Sequence, residues 1–258
     1  GETGSGKSTL LDIIMFLLEP IDGQILVNQK SISYKEKEFI KDLRSLIAHV
    51  PQDIYLSDSS ISDNITFENK GIVQDKELIK EVGKVSCIDD FVKSSEKGYE
   101  TMVGEKGLRL SGGQRQRIGI ARALIMQPEF VVCDEPISAL DVSVQAQIIN
   151  LLEELKSSLS LTLLFIAHDL SMVRYVSDKM AVMYLGKIVE IGPANDVFFN
   201  PKHPYTKLLI GSNPEPLPNQ NKKNKVSIKG EIPSAINIKP GCRFADRCPS
   251  VMEDCKKN

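Results

Sequence analysis

The segment Gly1-Glu2-Thr3-Gly4-Ser5-Gly6-Lys7-Ser8-Thr9 restricts the possible folds more than any other part of the sequence. Glycines 1, 4 and 6 let backbone N–H groups turn towards phosphate oxygens, and the helix that follows adds its positive N-terminal end. Lys7 supplies a point charge between the β- and γ-phosphates, and Ser8 offers a hydroxyl to Mg²⁺. Glu2, Thr3, Ser5 and Thr9 complete the nucleotide loop. A loop of this kind hangs from a buried strand and opens a helix, which selects an α/β fold. Alone, it says only that something with phosphates binds.

Four further segments follow in order. Gln52 stands behind Pro51 at an expected strand end, and Leu110-Ser111-Gly112-Gly113-Gln114 opens a basic helix. Phe130-Val131-Val132-Cys133-Asp134-Glu135 is a hydrophobic strand ending in two carboxylates, and His168 follows a second apolar run. Asp134 can reach a Mg²⁺ shell through water. Glu135, one residue further, is the natural general base for an attacking water. A lone glutamine or histidine would be read as surface; these two gain meaning from their order in the series.

The rest of the chain agrees with one large α/β domain and a small appendage, the room that 258 residues give. Net charge is −2, so no global field favours nucleic acid, and none is expected as a partner. No apolar run approaches the roughly 18 residues of a membrane span, and no signal-peptide pattern opens the chain. Helices are expected over Gly6–Leu18, after Ser111 to about Met126 where Pro128 stops it, and from Asp141, as cap, to about Leu159. Strands are expected at Gln24–Val27, Leu46–Val50, Phe130–Cys133 and, buried, Leu161–Ala167. The charged stretch from about Ser62 to Ser95 reads as a helical insert. The alternation implies a mainly parallel sheet covered on both sides. After Pro201, prolines 204, 214, 216 and 218 and polar Asn219–Lys225 read as a linker to a cysteine-containing tail.

The full motif series resembles the nucleotide-binding subunit of an ABC transporter, and the resemblance covers nearly the whole chain. It implies a P-loop NTPase core over 1–200 with a helical subdomain at about 53–125, and a C-terminal region over 201–258. It further implies ATP hydrolysis with Ser8, Gln52 and Asp134 around Mg²⁺, Glu135 as base and His168 at the γ-phosphate. Ser111, Gly112, Gly113 and Gln114 would face the nucleotide of a second ATPase subunit, identical or different, and Asp141 lies in the loop that passes between subunits. The other implied partners are transmembrane permease subunits and, indirectly, a solute-binding protein, with the chain peripheral at the cytoplasmic face of the membrane. Arg115, Arg117 and Arg122 are expected to form a solvated face or pairs between motifs.

The two halves resemble different branches. Ile47–Leu56, Ile61–Ile65 and Tyr99–Gly107 are similar to multidrug and lipid exporters, whereas Cys133–Gln145, Ala167–Leu170, Met183–Lys187, His203–Thr206 and Gly241–Pro249 are similar to oligopeptide/dipeptide importers. Peptide import is the leading expectation, with an exporter ATPase or a soluble non-transport ABC ATPase as alternatives. The seam near Ser111–Ala123 suggests recombined or wrongly joined genes, or a divergent importer with an exporter-like insert. Some importers of that branch carry a [4Fe–4S] cluster on four tail cysteines; here Cys242, Cys248 and Cys255 are the candidates, with the fourth ligand expected beyond Asn258 in the full-length protein, beside the reading as free thiols. Because Gly1 already belongs to the phosphate loop, the resemblance places a strand and an adenine-stacking aromatic upstream. About 30–45 further residues are expected to be needed for full stability and ATP binding.

Overall fold

The computed structural model describes residues 6–67, 75–212 and 240–257. The chain divides into two compact units, Leu11–Ile166 and Gly1–Leu10 with Ala167–Asn258. Helix α1 (Lys7–Ile14) stops four residues before the expected end at Leu18. Phe16 takes φ 59°, which turns its ring into the core and leaves Leu17 and Leu18 57% and 46% exposed. The Arg44 guanidinium holds the Phe16 carbonyl, and the Tyr34 hydroxyl donates to the Leu18 carbonyl at 2.6 Å. Tertiary packing, not an apolar pattern, ends this helix.

Strands β1 (Leu26–Val27) and β2 (Lys30–Ser31) form a short antiparallel hairpin. Asn28 and Gln29 both have positive φ, the backbone that a two-residue hairpin turn demands. Helix α2 (Lys37–Ser45) then leads into β3 (Ile47–Val50). The expected helical stretch follows as α3 (Ile61–Thr66), α4 (Lys76–Val85) and α5 (Asp89–Ser94). Ser60 and Asp63 exchange bonds in a capping box at the start of α3, and the Asp75 carboxylate accepts N–H groups at the start of α4.

Helix α6 (Gly112–Leu124) precedes β4 (Phe130–Asp134), α7 (Val142–Ser158) and β5 (Thr162–Ile166). The sheet has the order β3-β4-β5, all parallel. Central β4 is covered on both faces, as a parallel strand must be, with Val131, Val132 and Cys133 all buried. Leu11 and Met15 pack on Val132, and Ile47, Phe130, Leu164 and Ile166 close around them. Strand β5 does not reach the burial expected of it: only Phe165 is buried, because β5 is the edge of this sheet among the described residues.

Burial pushes the Cys133 thiol up to about 12, so it stays protonated near neutral pH and inert towards thiolate-seeking reagents. Iodoacetamide at neutral pH is therefore expected to label exposed Cys87 and to spare Cys133. Peptide mass spectrometry reads both sites, and rapid alkylation of Cys133 in native protein would contradict its burial.

In the other unit, the Asp169 carboxylate accepts the Ser171 N–H at 2.8 Å and caps α8 (Leu170–Val176). Strands β6 (Lys179–Tyr184) and β7 (Lys187–Pro193) pair antiparallel through a tight turn at Leu185 and Gly186, both at positive φ. Helices α9 (Ala194–Phe199) and α10 (Pro204–Ser212) follow. Glu190 on β7 accepts the N–H groups of Lys202 and His203 at 2.7 and 3.0 Å, which fixes the approach to α10. Phe244 in the tail is fully buried, 5.2 Å from the Tyr184 ring, 5.4 Å from Tyr205 and 5.7 Å from His203. No helix among the described residues is long and apolar enough to cross a membrane.

Candidate functional site

The register of the parallel sheet brings two of the candidate residues to one edge. Val50 is paired with Cys133, and Gln52 and Glu135 each stand two residues beyond that pair. Both lie past the carboxyl ends of their strands, where open α/β sheets bind ligands. Asp134, the last residue of β4, is half-buried and in register with Ile166. Glu135 takes φ 45°, an uncommon backbone for a residue with a side chain. Its N–H donates to the Ile166 carbonyl at 3.0 Å, and the Ser138 hydroxyl donates to its carbonyl at 3.1 Å. These bonds hold the carboxylate-bearing residue in a strained conformation, a condition concentrated at functional sites.

Ser111 caps α6. Its hydroxyl accepts the Gln114 N–H at 3.2 Å, while the Gln114 side-chain oxygen accepts the Ser111 N–H at 2.8 Å. A side chain on either of the two glycines that follow would crowd a neighbouring side chain. A Cβ on Gly112 would lie 3.0 Å from Leu140 Cδ2, and one on Gly113 would lie 2.8 Å from Val144 Cγ1. The start of α6 is thus packed against the loop before α7. Asp141 occupies the N-cap position of α7, but its side chain makes no cap bond. The loop is tied from inside the helix instead: the Gln145 amide donates to the carbonyls of Ile137 and Leu140, each at 3.0 Å.

Three consecutive residues after Gln52 pack against three different places: Ile54 on α6, Tyr55 at the end of α3 and Leu56 on the turn that precedes α6. Ile54 Cδ1 lies 2.5 Å from where a Cβ on Gly119 would stand, and Leu56 Cδ1 lies 2.7 Å from the same point on Gly107. Tyr55 meets Phe67 edge to face, and the Arg122 guanidinium sits 4.4 Å above the Phe67 ring. Arg122 also donates to the Asn64 carbonyl at 2.9 Å, while burial lowers its pKa. Arg115 donates to the Leu110 carbonyl at 3.0 Å, and Arg117 to the Gln147 side chain at 3.1 Å. The basic face of α6 therefore ties the helix to its neighbours. A glycine inside an otherwise helical pattern signals such an approach, and Gly119 is one that sequence reasoning passed over.

Gly6, Lys7, Ser8 and Thr9 stand at the start of α1, where the Leu10 N–H donates to the Gly6 carbonyl at 3.0 Å. Gly1, Glu2, Thr3, Gly4 and Ser5, like the linker Asn219–Lys225, lie outside the described residues. His168 is exposed just before the α8 cap. Ser8 in one unit offers a hydroxyl, and Gln52 and Asp134 in the other offer an amide oxygen and a carboxylate, oxygen donors of the kind that Mg²⁺ takes.

Cys242, Cys248 and Cys255 are half-buried free thiols. Among the described residues no group of three or more His, Cys, Asp or Glu could hold a metal ion. The contact between Cys242 and Cys255 is through backbone, N–H to carbonyl at 2.8 Å.

Comparison with known proteins agrees with this chemistry. A family model described as "ABC transporter" matches residues 1–138, and one described as "Oligopeptide/dipeptide transporter, C-terminal region" matches residues 189–255. The oligopeptide transport ATP-binding protein AppF of Bacillus subtilis (strain 168) is 41% identical over 269 residues, covering 100% of this chain and 78% of AppF. YkfD of the same organism, also named for oligopeptide transport and ATP binding, is 42% identical over 270 residues, 99% of this chain and 78% of its own. A solved bacterial Atm1-family ABC exporter with ATP bound is 32% identical with a TM-score of 0.66, over 77% of this chain and 34% of that one. The motif-bearing sheet edge and these likenesses together establish that the chain belongs to the ATP-hydrolysing, ATP-binding proteins of ABC transporters, with their P-loop α/β fold.

Proposed function

We propose that this chain is the ATPase subunit that drives import of peptides across a membrane, working on the cytoplasmic face through permease subunits that receive substrate from a solute-binding protein. The observation that carries the reading is the match of residues 189–255 to the oligopeptide/dipeptide transporter C-terminal region, beside relatives named for peptide transport along 99–100% of the chain. On this reading residues 1–200 are the nucleotide-binding domain, with a helical subdomain at about 53–125, and 201–258 the importer-type region.

Lys7 neutralises charge on the transferring phosphoryl group, and the backbone of residues 1–9 cradles the phosphates. Ser8, Gln52 and Asp134 would hold Mg²⁺, which when bound offsets phosphate charge. Glu135 takes the proton of the attacking water, and exposed His168 meets the γ-phosphate. Ser111–Gln114 serves the nucleotide of a second subunit, with Asp141 in the loop between subunits.

Relatives named for peptide transport run through both halves of the chain, which supports one importer lineage carrying an exporter-like insert. The likeness to an exporter structure favours a second reading, with transport outward. Uptake of a labelled short peptide by cells separates the two. Deleting this subunit is expected to abolish ATP-dependent uptake, and the intact gene, but not Glu135→Gln, to restore it. Undiminished uptake, or raised retention of peptide in the deletion strain, would overturn the import reading.

A further inference from the structure

Gln116 stands three or four residues from each of Gly112, Gly113 and Gly119 along α6, so the four positions share one face of the helix. Each glycine lies where a side chain would crowd another element. A Cβ on Gly112 would meet Leu140 at 3.0 Å, one on Gly113 would meet Val144 at 2.8 Å, and one on Gly119 would meet Ile54 at 2.5 Å. The face therefore runs from the loop that leaves Glu135 to the second residue after Gln52. Of its four positions, only Gln116 carries a side chain.

Gln116 is 4% exposed. Its amide nitrogen, which carries two hydrogens to donate, has no hydrogen-bond partner among the described residues. A helical side chain lies over the turn before its own Cα, which aims this amide along Gly112–Gly113 towards the loop of Leu140. Leaving a buried donor unpaired costs stability, and an apolar side chain of the same size would avoid that cost. The same loop shows what an amide can do there. From α7, the Gln145 amide donates to the carbonyls of Ile137 and Leu140, each at 3.0 Å. A carbonyl oxygen has two lone pairs, so the loop still has room for a second donor.

We propose that Gln116 is a positioning residue for ATP hydrolysis: its amide N–H binds a carbonyl of loop 136–141 when that loop takes its catalytic arrangement, and so fixes Glu135 at one end and Asp141 at the other. The proposal rests on the reading of Glu135 as the base. Two glutamines, one from each helix, then hold the loop, Gln145 at all times and Gln116 only in the working arrangement. A donor satisfied only there stabilises the transition state above the resting state, which raises kcat and leaves substrate binding alone.

The test compares Gln116→Met, Gln116→Leu and Glu135→Gln with the parent by steady-state ATPase kinetics and by melting without nucleotide. Methionine and leucine fill nearly the same volume without a donor. Both are expected to lower kcat roughly tenfold, the scale of one hydrogen bond. KM should stay near the parent's, and the melting temperature should equal or exceed it. Hydrogen–deuterium exchange of residues 136–141, read in Glu135→Gln, should show protection that appears with ATP and is lost when Gln116→Met is added. A parental kcat in Gln116→Met overturns the proposal. So does a fall in kcat that tracks a fall in melting temperature in both variants, or loop protection that Gln116→Met leaves unchanged. If Glu135→Gln turns over at the parental rate, the reading of the base itself has failed. If Glu135→Gln loses turnover while Gln116→Met does not, only the role of Gln116 has.

Discussion

Glu135→Gln is expected to cut ATP turnover by about 10² or more, the scale of removing a general base, while ATP binding persists. Glutamine has the shape of glutamate and keeps the N–H that donates to Ile166, so the end of β4 should hold its geometry. What is lost is the capacity to accept a proton from water. Phosphate release under saturating ATP measures the rate, and equilibrium binding of ATP measures the retained site. The variant should also accumulate as a nucleotide-bound dimer, visible by size-exclusion chromatography, since the step that consumes the bound ATP is blocked. Turnover at the parent rate would show that the base is elsewhere.

Ser111→Arg and Lys7→Ala are each expected to be inactive alone and to recover activity when mixed. Ser111 is exposed at the N-cap of α6, and losing its hydroxyl costs about 1 kcal/mol of helix capping. The helix keeps its seat through Ile54 on Gly119, so the fold should survive. An arginine at this position occupies the space where the second subunit's nucleotide would sit. In a heterodimer of the two variants, one composite site retains both a parental Lys7 and a parental Ser111. Random pairing of equal amounts makes half of the dimers mixed, each with one good site, so activity should return to about a quarter of the parental level. ATPase assays on each variant and on the mixture decide the matter. Two folded variants whose mixture stays inactive would count against action across a dimer.

The sheet was legible from its apolar runs. Phe130–Cys133 read as a strand because a central parallel strand needs apolar residues on both faces. Strand β3, at the edge of the order β3-β4-β5, read from the short apolar run that ends before Pro51. Helix α6 was legible from local chemistry, with Ser111 and Gln114 in a capping box and Pro128 beyond its end. Features set by distant packing were not. The early stop of α1 depends on Phe16 turning inward, and nothing in Met15-Phe16-Leu17-Leu18 announces a positive φ. Asp141 has the residue type and place of a cap, yet Gln145 ties the loop from four residues further on. The candidate residues themselves were readable as motifs, while their supports were not. Leu140 and Val144 beneath the two glycines of α6, and Ile54 on Gly119, are contacts between segments far apart in sequence. Arg243 meets Leu185 58 residues away, a partnership no local pattern encodes.

The backbone of Glu135 bears on how this protein fails. A side-chain-bearing residue at φ 45° is held against a preference of on the order of 1–3 kcal/mol. Glycine and asparagine tolerate that region more easily. Replacing Glu135 by either removes the carboxylate and relaxes the chain in the same step. The damaged protein then folds at least as well as the intact one, and cellular quality control, which senses exposed apolar surface and not lost chemistry, has no reason to remove it. Inactivity at this position accumulates as well-folded subunits that compete with working ones for places in an assembly.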